Sequence, residues 1–118
     1  MLASIKGLTE AQWRFKSAPA VWLIQECAEH NILAEDYIFG GTQMMLQTLV
    51  IARPATSTEE ADRKIVTTIK DRSKKATAPE PIVPTGKYAT PADAAREFEA
   101  RRQRTIEYVK TTKDELRP

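Results

Sequence analysis

Residues 20–51 read AVWLIQECAEHNILAEDYIFGGTQMMLQTLVI, and the folding of this stretch decides the architecture. Leu23, Cys27, His30, Ala34, Ile38, Gly41, Met45 and Thr48 recur at the spacing that lines one face of an α-helix. A helix is expected from near Ala20 to about Ile51, with these residues facing inward and Gln25, Glu29, Glu35 and Asp36 outward. Pro19 lacks an N–H and restrains Ala18, which sets the upstream limit, and Arg53-Pro54 sets the downstream one. From Ile38 to Ala52 no residue is charged. Gly40, Gly41, Gln43 and Gln47 interrupt that run, which falls short of the roughly 18–20 apolar residues of a membrane span, so it reads as a buried helix segment. Each mid-helix glycine costs about 1 kcal/mol relative to alanine, which predicts a kink or a close approach of another helix at Gly40-Gly41. A helix of this length favours a bundle in which long helices lie side by side.

Working outward, Thr9-Glu10-Ala11-Gln12 has the pattern of a capping box and introduces a short helical turn carrying Trp13. Before it, Leu2, Ile5 and Leu8 keep helical spacing across a turn that Gly7 stops. Residues 53–90 form a connection punctuated by Pro54, Pro79, Pro81, Pro84 and Gly86. Within it, Ser57 or Thr58 can cap a small surface helix that has Glu59 and Glu60 at its N-terminal end and a stripe of Ala61, Ile65 and Ile69. Thr77 to Thr85 is expected to be extended. Thr90 as N-cap, Pro91 at the first helical position and Asp93 in the first turn then start a helix reaching Thr111 or beyond. Its expected apolar face is Ala95, Phe98, Thr105, Val109 and Leu116, with Arg102 intruding and Ala94, Ile106 and Tyr108 alongside. The fold class is all-α, a single domain over residues 1–118 built from two long helices and several short ones.

A chain of 118 residues supports one core, burying on average roughly 65% of its unfolded surface. About a third of the apolar residues are alanine, so Trp13, Phe15, Trp22, Tyr37 and Phe39 are expected to be the main core anchors, with Met44 and Met45 as packing material. The formal charge of +2 sets up no field that would attract nucleic acid or anionic lipid. Arg96, Arg101, Arg102 and Arg104 alternate with Glu97, Glu99 and Glu107, the pattern of a solvated helix face with pairs such as Glu97 with Arg101. A single cysteine excludes an internal disulfide and fits a reducing compartment, which makes the cytoplasm the expected location.

Several motifs together resemble one family. Leu8-Thr9-Glu10-Ala11-Gln12-Trp13, then Ala18-Pro19, Trp22 and Ile24-Gln25-Glu26-Cys27-Ala28-Glu29-His30, resemble the opening of DinB-like domains. Asp71-Arg72-Ser73, Ala78-Pro79-Glu80-Pro81, Pro84-Thr85-Gly86 and Ala89-Thr90-Pro91 resemble the connection before the third helix of the same family. The resemblance implies a four-helix bundle holding a divalent metal, with one histidine from the second helix and a His-x-x-x-His pair on the fourth. Some members are metal-dependent hydrolases or thiol-dependent transferases. By position His30 matches the histidine of the second helix, while the other two have no counterpart. The expectation is an incomplete bundle, with a shortened first helix and no fourth helix, completed by oligomerisation.

His30 is the only histidine of the chain, so one copy cannot build a multi-histidine site. Glu26 and Cys27 stand within one turn of it and are the other candidate donors, for zinc, nickel or iron. No catalytic residue is assigned. Two long apolar faces without further helices leave a wide stripe to cover, and a copy of the same chain in a homodimer or higher homo-oligomer covers it most simply. The leading expectation is a non-catalytic, self-associating helical scaffold. One alternative is a metal site rebuilt across a homodimer around His30, serving hydrolase or thiol-transferase chemistry. Another is a helical module that binds a foreign partner.

Overall fold

The computed structural model describes residues 1–48, 57–71, 73, 75–114 and 116. Helices α1 (Leu2–Ile5), α2 (Glu10–Trp13), α3 (Ile24–Thr48), α4 (Thr58–Lys70) and α5 (Pro91–Thr111) follow one another, with a single 3₁₀ turn at Glu80–Ile82 between α4 and α5. The described residues are helical or irregular, with no strand among them. No described helix is long and apolar enough to cross a membrane.

Local chemistry sets the helix starts. Thr9 and Gln12 form the expected capping box, the Gln12 N–H donating to Thr9 Oγ1 at 3.2 Å and the Thr9 N–H to Gln12 Oε1 at 2.9 Å. Ser57 caps α4 by accepting from the Glu60 N–H, and Thr90 caps α5 by accepting from the Asp93 N–H. The long helix α3 begins at Ile24 rather than near Ala20. The Glu26 carboxylate reaches back to the Leu23 N–H at 2.7 Å and fixes the first turn there. The helix continues unbroken through Gly40 and Gly41 to Thr48, and its expected end at Ile51 lies outside the described residues.

α3 packs chiefly on α5, while α1 rests on α5, and α2 and the 3₁₀ turn rest on α3. The core gathers Ile5, Trp13, Ala28, Ile32, Tyr88 and Ala94, with Leu8, Ala95 and Phe98 against it. Trp13 is wholly buried and donates Nε1–H to the Tyr88 carbonyl at 3.1 Å. Of the other expected anchors, Phe39 is half-buried and meets Tyr108 edge-on at 5.3 Å. Phe15, Trp22 and Tyr37 are exposed, as are Met44 and Met45. Those five are surface residues and not core.

The inward face of α3 is the reverse of the expected one. Gln25, Ala28, Glu29 and Ile32 are buried, while Cys27, Ile38, Gly41, Met45 and Thr48 are exposed. At about 100° per residue these two sets lie on opposite sides of the helix. Polar side chains occupy the buried face because each finds a partner there, and the apolar stripe is left outside. On α5 the packed side runs through Ala94, Phe98, Arg101, Thr105 and Tyr108, whereas Val109 is exposed, as is Leu116 beyond the end of the helix. The connection is also tighter than an extended run from Thr77 to Thr85, because Pro79–Ile82 close one 3₁₀ turn that buries Ile82.

Trp13→Ala removes the largest buried side chain and its tether to Tyr88. The expected loss is about 3–5 kcal/mol of unfolding free energy, read from urea denaturation of the two proteins.

Candidate functional site

Glu29 lies in the middle of the buried side of α3, with 1% of its surface exposed. Its Oε1 accepts from the Thr85 N–H and the Thr85 hydroxyl, each at 2.9 Å. Its Oε2 accepts from the Gly86 and Lys87 N–H groups, each at 2.8 Å. Burial pushes the carboxyl pKa upward, but the hydrogen bonds from Thr85, Lys87 and Gly86 outweigh it and hold the group below its ordinary value. The loop takes this shape because Gly86 sits at a φ of +82°, which a side chain disfavours. Gln25, one turn earlier, donates its amide to the Gly86 carbonyl at 3.1 Å and to the Tyr88 carbonyl at 2.6 Å. The α3 surface thus reads both the N–H and the C=O groups of residues 85–88.

His30 follows directly. Its Nδ1 lies 2.8 Å from the Ile82 carbonyl, and since a carbonyl only accepts, Nδ1 carries the proton and donates. In the neutral ring that contact leaves Nε2 as the nitrogen with a lone pair. The Trp22 ring stacks beside the imidazole at 5.0 Å with a tilt of 51°. Neither other candidate donor joins it in a metal site. Glu26 is engaged as the cap of α3, and Cys27 is exposed with its thiol pKa raised, first by desolvation and then by the neighbouring Glu26 charge. Among the described residues no group of three or more His, Cys, Asp or Glu side chains is placed to hold an ion. The described residues of one chain therefore supply one oriented ligand and do not fit a complete divalent-metal site. An apolar recess of about 490 Å³ between α1 and the start of α5 is lined by Leu2, Ile5, Leu8, Pro91 and Ala95 and does not include His30.

A second polar seam joins α3 to α5. Asp36 receives Arg101 at 2.6 Å and Arg104 at 2.7 Å, and Glu35 receives Arg102 at 2.9 Å and the Thr105 hydroxyl at 2.9 Å. Glu97 pairs with Arg101 as expected from their spacing. Arg104 also lies over the Phe39 ring at 4.3 Å. The arginines of α5 are thus partly drawn into the helix interface, and Arg101 is mostly covered instead of forming a solvated face. Desolvation raises the Asp36 pKa, yet the two arginines more than reverse it and the carboxyl titrates below its usual value.

Hydrophobic periodicity pointed Gln25 and Glu29 outward and gave Ile82 no role. The available signal was the spacing of Gln25, Ala28, Glu29 and Ile32, a helical face on which two members are polar.

Among the carboxyls with depressed pKa values, Glu29 and Asp36 contribute stability that is present above the unfolded-state carboxylate range and is lost as pH falls through their folded values. Unfolding free energy should stay level near neutrality and decline below about pH 4. Glu29→Gln should lower stability at pH 7, by about 1–3 kcal/mol for each N–H it strands, and should flatten this acid decline. Urea denaturation of both proteins from pH 3 to pH 7 measures the two effects.

Searches for similar sequences and folds find no curated protein and no solved structure that matches significantly. The family model described as the DinB superfamily matches residues 1–117, nearly the full length described above. The buried clasp between α3 and residues 85–88, and the all-helical architecture around it, are thus features of a chain that belongs to the DinB superfamily.

Proposed function

We propose that this chain is a non-catalytic helical module of the DinB superfamily that associates with copies of itself. The observation that carries the reading is the outer side of α3, where Tyr37, Ile38, Met44 and Met45 are each more than half exposed. A contiguous apolar stripe of this kind marks an association surface. The helix bearing it is already fixed on its other side by Glu29, Gln25 and the Asp36 seam. Covering the stripe therefore requires no rearrangement of the core. The free Cys27 suits a reducing compartment, and the cytoplasm is the proposed location. Sedimentation equilibrium at micromolar concentration should give twice the chain mass of 13.3 kDa or a higher multiple. A monomer mass at all concentrations overturns the reading.

One observation favours a second reading, a metal site shared between chains. The Nδ1–H of His30 is committed to Ile82, the arrangement that presents the opposite nitrogen to an ion. A second copy would have to supply the remaining donors. Metal content per chain, measured by mass spectrometry on native protein and on His30→Ala, tests it. This reading expects a stoichiometric ion that the variant loses, and equal near-zero values eliminate it.

A further inference from the structure

We infer that α4 is a tethered cover for the outer stripe of α3, seated antiparallel on it in competition with a second copy. The inference rests on the self-association reading and adds the device that regulates it. α4 is an amphipathic helix whose apolar side meets solvent. Thr58, Ala61, Ile65 and Ile69 share that side, while Glu59, Arg63 and Lys70 lie opposite. No residue of α4 is buried, and Ile65, Val66 and Ile69 are each more than half exposed. A helix of this length is marginal in water without a surface to pack on.

The path of the chain names that surface. α3 and α5 run in the same direction, since Asp36 meets Arg104 and Phe39 meets Tyr108. The connection must therefore travel back along α3 before α5 begins. It rejoins α3 where the Ile82 carbonyl accepts from His30, and Tyr37, Gly41, Met44, Met45 and Thr48 all lie within about 60° of His30 around the helix. The return thus ends on the side that carries the stripe. From Thr48 back to the level of His30 is roughly 27 Å at about 1.5 Å per residue, and α4 is roughly 20 Å long. Eight residues separate Thr48 from Ser57, the cap of α4, a length that joins antiparallel neighbours in bundles.

Laid back along α3, α4 sets Ala61 opposite Met45, Ile65 opposite Gly41 and Ile69 opposite Tyr37. Large then faces small at the first two positions. A Cβ built on Gly41 meets nothing within 4 Å, so the bare backbone there has room for the branched Ile65. No residue from Tyr37 to Thr48 is charged, and the charged side of α4 stays in water, so the contact desolvates no ion. A second copy must give up translational freedom to reach the same stripe, whereas a short tether holds α4 at an effective concentration in the millimolar range. The tethered helix therefore sets the concentration at which copies associate.

Two measurements on the full-length protein test this. In a Cys27→Ala background at submicromolar concentration, Met45→Cys with Ala61→Cys should close an intrachain disulfide under mild oxidation. Met45→Cys with Arg63→Cys, on the charged side of α4, should not. Ile65→Asp with Ile69→Asp removes the apolar side of α4 whether or not the helix persists, and should lower the dimer dissociation constant at least tenfold because both chains lose their competitor. No intrachain link, links only between chains, or equal linking through Ala61→Cys and Arg63→Cys would show that α4 has no seat on the stripe and overturn the inference. An unchanged dissociation constant would overturn it too, while self-association stands. If the intrachain link forms and both the wild type and the double variant stay monomeric at all concentrations, the self-association reading falls and the seat of α4 stands.

Discussion

Between the second turn of α3 and the loop before α5, one carboxylate meets four donors. Glu29 accepts from the Thr85, Gly86 and Lys87 N–H groups and from the Thr85 hydroxyl, and so satisfies both of its oxygens without water. Burying an ionised carboxyl unpaired is prohibitive, and backbone N–H groups left without acceptors add a smaller cost. Each requirement answers the other. Once this clasp is closed, the Gly86 and Tyr88 carbonyls fall within reach of Gln25, and Tyr88 also receives Trp13. The position of the connection, the burial of Trp13 and the lead-in to α5 all follow from it.

The same constraint decides which side of α3 faces the core. A helix fixed at Gln25 and Glu29 must turn Ala28 and Ile32 inward with them, and further along it presents Glu35 and Asp36 to the arginines of α5. The apolar stripe through Ala34, Ile38, Gly41 and Met45 is then carried to the outside. Apolar surface is exposed here because polar contacts with specific geometry have taken the inner side. This reverses the usual assignment, in which the apolar side of a helix faces the core.

How much of this was legible depends on the range of each contact. Helix starts were legible because their partners are three residues apart: Thr9 with Gln12, Ser57 with Glu60, Thr90 with Asp93. The Glu97–Arg101 pair was legible for the same reason. The family likeness was visible in motifs around Trp13, His30 and Thr90, and the all-helical class with it. The orientation of α3 was not, because periodicity weighs hydrophobicity and knows nothing of a partner loop 56 residues away. His30 was placed by its motif, but the carbonyl that fixes its tautomer belongs to Ile82, 52 residues on, and no local pattern announces it. The exposed Phe15 and Tyr37 show the same limit, since aromatic character alone does not say whether a neighbour exists.

The ties that close this fold all span long stretches of chain: 75 residues from Trp13 to Tyr88, 63 from Gln25 to Tyr88 and 57 from Glu29 to Gly86. Little of the clasp can form before the ends of a large loop have met, so the loop-closure entropy falls on the folding rate. That entropy grows only with the logarithm of length, and doubling a flexible loop adds about 0.6 kcal/mol. The chain between α3 and the 3₁₀ turn is thus nearly free to lengthen or shorten during descent. Insertions there would spare the joined ends, and a lineage can remodel its middle while its clasp stays the same.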